Sequence, residues 1–144
     1  MRDRVIYSVL IGAGALPFAL AAAAAIAGVE TLPLAGTPGR LITTYGFGIV
    51  SFLTGIHWAT HLYASDRAPK NLFVLSNIVF LAAWLTLLAG DTRSAVFTQS
   101  VAFALLLAVD YALLRRDIIE SQYFRMRAGA TLVAVVSLMT FVSS

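Results

Sequence analysis

The sequence predicts an all-α integral membrane protein: a bundle of five transmembrane helices, N-terminus inside and C-terminus outside. Three observations carry this. First, 60% of the 144 residues are hydrophobic and only 12% are charged, against roughly 25% charged in a soluble domain. Mean hydropathy is +0.87, and a soluble fold this small would lack the polar surface to cover its core. Second, five apolar runs approach or exceed the roughly 20 residues that a membrane span needs. Third, the basic residues alternate between connections. Arg2, Arg4, Arg67, Lys70, Arg115, Arg116, Arg125 and Arg127 fall on one side, while Arg40 and Arg93 fall on the other. Cytoplasmic loops collect Lys and Arg, which sets the orientation and favours an odd number of spans.

The five spans cover about 5–29, 41–64, 71–89, 94–114 and 124–142, forming one transmembrane domain over 1–144. The first begins MRDRVIYSVLIGAGALPF, with the basic start of a signal peptide. Its apolar run exceeds the roughly 7–15 residues of a signal core, so it reads as a membrane helix. Pro17 removes a backbone donor and crowds the preceding turn, predicting a kink that acts as a hinge or as static packing. Gly12 and Gly14 offer close approach to a neighbour. The connections ETLPLAGTPGR, SDRAPK, GDTR and RRDIIESQ carry the breakers and charges. The third and fifth runs are near the lower length limit.

The second span carries most of the chemistry. On a helical wheel, Thr44, Gly48, Ser51 and Gly55 form a ridge of small residues suited to helix packing. Val50, Thr54, His57 and His61 form a second stripe on the opposite face, with Trp58 between. His57 and His61, the only histidines, lie within two turns of the inner end. Asp110 in the fourth span falls at a similar depth, with Tyr111 beside it. Asn77 and Ser76 of the third span, and Tyr7 and Ser8 of the first, join the same layer. An ionisable residue inside a span is costly and marks a functional candidate. The expected partners of Asp110 are His57 or His61 across the bundle, or Arg115 and Arg116 along its own helix. The competing reading of the histidines is hydrogen-bonded glue between helices.

Several chemistries can be weighed. The absence of cysteine excludes disulfides, thiolate metal sites and thiol nucleophiles. His57 and His61 are weak metal candidates, since HWATH lacks the glutamate of an HExxH site. One i, i+4 pair cannot supply both axial ligands of a haem, and no other histidine exists. A proton relay through His57, His61 and Asp110 is chemically reasonable, but beyond Gln99 and the stretch 43–45 the outer half holds few relay groups. No cofactor is required by the sequence. In the segment RRDIIESQYFRMR, the arginines Arg115, Arg116, Arg125 and Arg127 are placed to meet lipid headgroups or a docking partner. No basic run is long enough to suggest nucleic-acid binding.

The pieces GALPF, YGFGIVSFLTGIHW, Trp84, VDYALLRR and QYFRMRAGATLVAVVSL together suggest a family. The chain resembles the small five-helix membrane proteins grouped as a domain of unknown function that includes transmembrane protein 69. The resemblance implies an integral membrane protein of bacterial inner membranes or mitochondria and no established reaction. The expected role is a non-enzymatic binder of a lipid or other hydrophobic small molecule, or an accessory subunit of a larger membrane complex or homo-oligomer, in the bacterial inner membrane. A proton-coupled transporter or channel using His57, His61 and Asp110 is the alternative, and a metal-dependent membrane enzyme the second alternative.

Overall fold

The computed structural model describes residues 2–144, with side chains from residue 4 onward. The side chain of Arg2, counted above for orientation, lies outside that range. Six helical segments follow one another: α1 (Arg2–Gly14), α2 (Leu16–Ile26), α3 (Pro38–Tyr63), α4 (Leu72–Leu88), α5 (Thr92–Leu114) and α6 (Ser121–Ser143). Among the described residues there is no strand, only an isolated bridge between Leu32 and Gly36 in the α2–α3 connection. Arg4–Ile26, Thr92–Leu114 and Ser121–Ser143 are each long and apolar enough to cross a membrane. The helix α4 is apolar but shorter, at 17 residues. At 26 residues α3 has the length, but its threonines, glycines and two histidines dilute its hydropathy.

The first apolar run is two segments because the helix breaks at Ala15, with Pro17 in the first turn of α2. A proline there lacks only a donor that the first turn leaves unpaired anyway. The hydroxyl of Tyr45 on α3 donates to the Gly14 carbonyl at 3.0 Å, so the break is pinned to α3. The run ends where Gly28, at φ +68°, adopts the left-handed conformation that releases a helix; the Val29 N–H then reaches back to the Ala24 carbonyl at 2.9 Å.

Helices α3 and α5 begin three and two residues before the apolar runs suggest, because capping side chains, and not hydropathy, define a helix start. Thr37 accepts from the Arg40 N–H at 3.1 Å ahead of α3, and Asp91 accepts from the Ser94 N–H at 2.9 Å ahead of α5.

Helix α3 packs on α2, α4 and α5, and so occupies the middle of the bundle. Helix α6 closes the far side against α5 and α2, and α1 leans on α6. The core runs between them through Phe18, Ile42, Val50, Leu53, Phe103, Leu106 and Leu138. Phe18 meets Tyr45 and Phe103 edge to face, at 5.3 and 5.6 Å between ring centres, the geometry favoured by ring quadrupoles. Outside this core Leu16, Leu20, Phe52, Ile78, Leu88 and Phe97 are exposed, giving the bundle an apolar exterior.

The ridge of small residues turns out differently from its expected packing role. Gly48 and Gly55 have nothing within 4 Å of an added Cβ, and Thr44, Gly48 and Gly55 are exposed. Gly12 is likewise open, and Gly14 meets α3 through its carbonyl. The apolar surface of α3 is broad, and the core took the face with the larger side chains, Ile42, Val50 and Leu53. The close approach is made instead at Gly46. There the buried side chain of Gln99 lies where a Cβ would come within 2.1 Å of Oε1, and Gln99 Nε2 donates to the Thr43 carbonyl at 2.7 Å.

Candidate functional site

Three ionisable side chains meet inside the bundle, near the end that holds α1's start and the α3–α4 and α5–α6 connections. His57 on α3, Asp110 on α5 and Arg127 on α6 are 2%, 3% and 6% exposed. Asp110 sits between the others. Its Oδ1 lies 2.9 Å from His57 Nε2, and its Oδ2 accepts from Arg127 Nε at 3.1 Å. An ionised carboxylate only accepts, so the imidazole carries its hydrogen on Nε2. Each helix brings its residue inward for a local reason. His57 continues the buried stripe of Val50 and Thr54. Asp110 follows Leu106 by one turn, and Arg127 precedes Thr131 and Ala134 on the buried face of α6. Removing charges from water is costly, and the arrangement persists because both carboxylate oxygens are met.

Of the partners expected for Asp110, His57 is correct and three others are not. His61 packs instead against Phe73 of α4, 4.1 Å between ring centres, because it lies farther round the helix than His57. Trp58 meets the same ring at a tilt, 4.5 Å between ring centres. Arg116 donates to the Arg67 carbonyl at 2.8 Å, tying the two connections together. Arg115 reaches the Tyr111 hydroxyl at 3.4 Å. Asn77 and Tyr111 do not join the layer: both are exposed, and Asn77 returns its amide to the Phe73 carbonyl at 2.8 Å. His57 and His61 do not converge, and among the described residues no group of three or more His, Asp or Glu side chains is placed to hold a metal ion.

Arg127 is the larger correction. The sequence groups it with Arg115, Arg116 and Arg125 as a headgroup contact, and those three are exposed. Arg127 instead turns inward. The signal was present: Arg127 lies four residues before Thr131 and seven before Ala134, a helical stripe that continues into the core.

Beside the trio lies an apolar cleft of about 280 Å³. Its origin is the break at Ala15. Helix α2 packs on both α3 and α6, whereas α1 follows α6 and leaves a gap toward α3. Leu10, Phe18, Leu53, Ile56, Phe103 and Ala134 line this gap. Leu10 and Phe52, both on its wall, are also exposed on the apolar exterior, so its mouth opens sideways between α1 and α3. Tyr7, Tyr123, Arg127 and Thr131 form its polar end.

Three polar atoms there are buried without a partner: Tyr7 Oη, Arg127 Nη2 and Thr131 Oγ1. Such groups are uncommon, and each costs about 1–3 kcal/mol when left unsatisfied. Thr131 stands out because Thr43, Thr44, Ser51, Thr60, Ser76 and Ser100 all return their hydroxyls to the carbonyl four residues back.

A second cleft, about 250 Å³, approaches Asp110 from the connection side through Thr60, Ile119 and Glu120. Tyr7, Ile56 and Tyr123 line both clefts, and the two tyrosine rings meet edge to face at 6.0 Å.

No match is found among curated proteins or among solved structures. A family model spans nearly the whole chain, across the trio and both clefts. The chain belongs to the family described as "Protein of unknown function (DUF3429)", whose model matches residues 5–143.

Proposed function

We propose that this is a multi-pass protein of the bacterial inner membrane that binds a hydrophobic small molecule in the cleft between α1, α3 and α6, without catalysing a reaction. In this reading α1 with α2 forms one span and α3, α4, α5 and α6 the other four. The N-terminus is inside, because the connections at that end carry most of the arginines. Kinship with transmembrane protein 69 belongs to the same reading. The observation that carries the function is the cleft itself: apolar walls, a mouth on the lipid-facing side and a polar end with unpaired donors. Binding sites for small molecules have this composition, mostly apolar with a few convergent polar groups.

The test is purification in mild detergent followed by mass spectrometry of everything retained. One amphiphile is expected in near-stoichiometric amount, and Ala130→Phe, which fills the cleft from its wall, removes it. Equal retention by the wild type and this variant would disprove the assignment.

The second cleft supports one other reading, proton-coupled transport, because it brings Asp110 within reach from the connection side. That reading requires proton flux in liposomes that falls when Thr60→Phe closes the approach.

A further inference from the structure

We infer that the ligand of the cleft is a single-chain amphiphile with a carboxylate head, an ionised fatty acid, held at Arg127, Tyr7 and Thr131. This inference rests on the cleft being a binding site and adds the chemistry of its occupant. Three observations lead to it.

The first is the donor inventory. A guanidinium nitrogen can only donate, and Arg127 Nη2 is buried without an acceptor while Nε serves Asp110. The hydroxyls of Tyr7 and Thr131 are unpaired on the same wall. A head that satisfies all three must accept several hydrogen bonds at once. A carboxylate has about four acceptor sites on two oxygens, whereas an alcohol offers fewer and an ester lacks the charge that strengthens a bond to guanidinium.

The second is charge. The ionisable groups at the trio and the two clefts are Asp110 from α5, His57 from α3 and Arg127 from α6, with Tyr7 and Tyr123 beside them, and Glu120, which lines the second cleft and pairs with Arg4 at 3.2 Å. Asp110 and Arg127 offset each other. Among the described residues that line the cleft Arg127 is the one charged side chain, so the head it draws is an anion.

The third is size and direction. At about 280 Å³ the cleft sits at the lower edge of the roughly 300–1,000 Å³ usual for small-molecule sites. Inside the walls that leaves room for one chain. Its walls become wholly apolar away from Arg127, past Phe18, Phe103 and Ala134 toward mid-bundle. A chain anchored by its head follows that direction and leaves through the mouth beside Leu10 and Phe52.

The experiment compares dodecanoate, methyl dodecanoate and dodecanol as ligands of the purified full chain in nanodiscs, by displacement of a spin-labelled fatty acid. Dodecanoate is expected to bind at least about tenfold more tightly than the ester or the alcohol, the effect of one charge-assisted hydrogen bond. Thr131→Val, which keeps the shape and removes an unsatisfied hydroxyl, is expected to weaken dodecanoate roughly three- to tenfold. Its thermal midpoint stays unchanged or rises, and its affinity for the ester does not move. Tyr7→Phe provides a second variant with the same expectation. Equal binding of acid, ester and alcohol would overturn the carboxylate head while leaving the cleft as a binding site. Failure of all three to bind would overturn both.

Discussion

The two ends of the bundle treat their buried polar groups differently. Near the far end, Gln99 of α5 lies flat over Gly46 of α3 and donates to the Thr43 carbonyl, and the nearby Thr43 hydroxyl returns to its own helix at 2.8 Å. Polar atoms there join helices that already touch. Near the end that carries the N-terminus, His57, Asp110 and Arg127 satisfy the carboxylate and leave Arg127 Nη2 over, beside a gap that α1 does not fill. The first arrangement is what close packing of helices requires. The first still leaves one acceptor over, Gln99 Oε1, tight against Gly46, whereas the second leaves donors over, Tyr7 Oη, Arg127 Nη2 and Thr131 Oγ1, on the wall of a cleft, and that difference is what marks one end as a site.

The comparison is broken most forcefully at Asp110. Asp110→Ala leaves His57 facing nothing and Arg127 charged and buried. It is expected to cost about 3–5 kcal/mol, the usual penalty for removing one member of a buried ion pair, read as thermal unfolding in detergent. A loss below about 1 kcal/mol would place the trio with surface ion pairs and their small energies.

The far end is probed at Gly46. Gly46→Ala puts a methyl group 2.1 Å from Gln99 Oε1, and overpacking of this kind costs roughly 1–3 kcal/mol. The pairing of the two residues is checked by Gln99→Ala, which removes the obstructing group, so the double variant is expected to be more stable than the sum of the single changes implies.

A smaller change sharpens the account of the cleft. Tyr45→Phe removes the hydrogen bond that pins the helix break at Gly14 and is expected to cost about 0.5–1.5 kcal/mol. Because α1 then loses its tie to α3, proteolysis or hydrogen exchange should report faster opening of residues 5–14, with α5 and α6 unaffected.

The smallest effect belongs to Asp91, at the head of α5. The hydroxyl and then the N–H of Ser94 bond its carboxylate and hold its pKa below the ordinary value. A lowered folded-state pKa contributes stability that is fully present above the ordinary carboxylate value. That stability is lost as pH falls through the lowered one. Asp91→Ala should therefore lower the thermal midpoint slightly near neutral pH and lose its effect in acid, which melting curves across an acid series would check.

Much of the fold was legible in the chain. Apolar runs located every helix within a few residues, since a segment that cannot be hydrated must be buried in protein or lipid. The bend near Pro17 was legible because it follows from a missing N–H. The stripe of Val50, Thr54, His57 and His61 is buried as far as His57, while the opposite ridge expected to pack is largely exposed; Asp110 was singled out by the cost of its charge. Arg127 was misread. Its neighbours Arg115, Arg116 and Arg125 belong to an exposed cluster, and composition assigns the four together. Asn77 and Tyr111 share the depth of Asp110 but not its direction around the helix.

Composition and periodicity, by themselves, determined that the chain is helical and strongly apolar, where the helices lie to within a few residues, and which residues are too polar to be buried without a partner. These are local properties, set by propensity, hydropathy and caps along a few turns. Only the tertiary structure decided that His57 and not His61 meets Asp110, that Arg127 turns inward to join them, and that α1 leaves α3 to open a cleft beside the trio. Those outcomes depend on how each helix is rotated about its axis and tilted against its neighbours. A single apolar helix with weakly distinguished faces leaves that rotation open until the other helices pack against it.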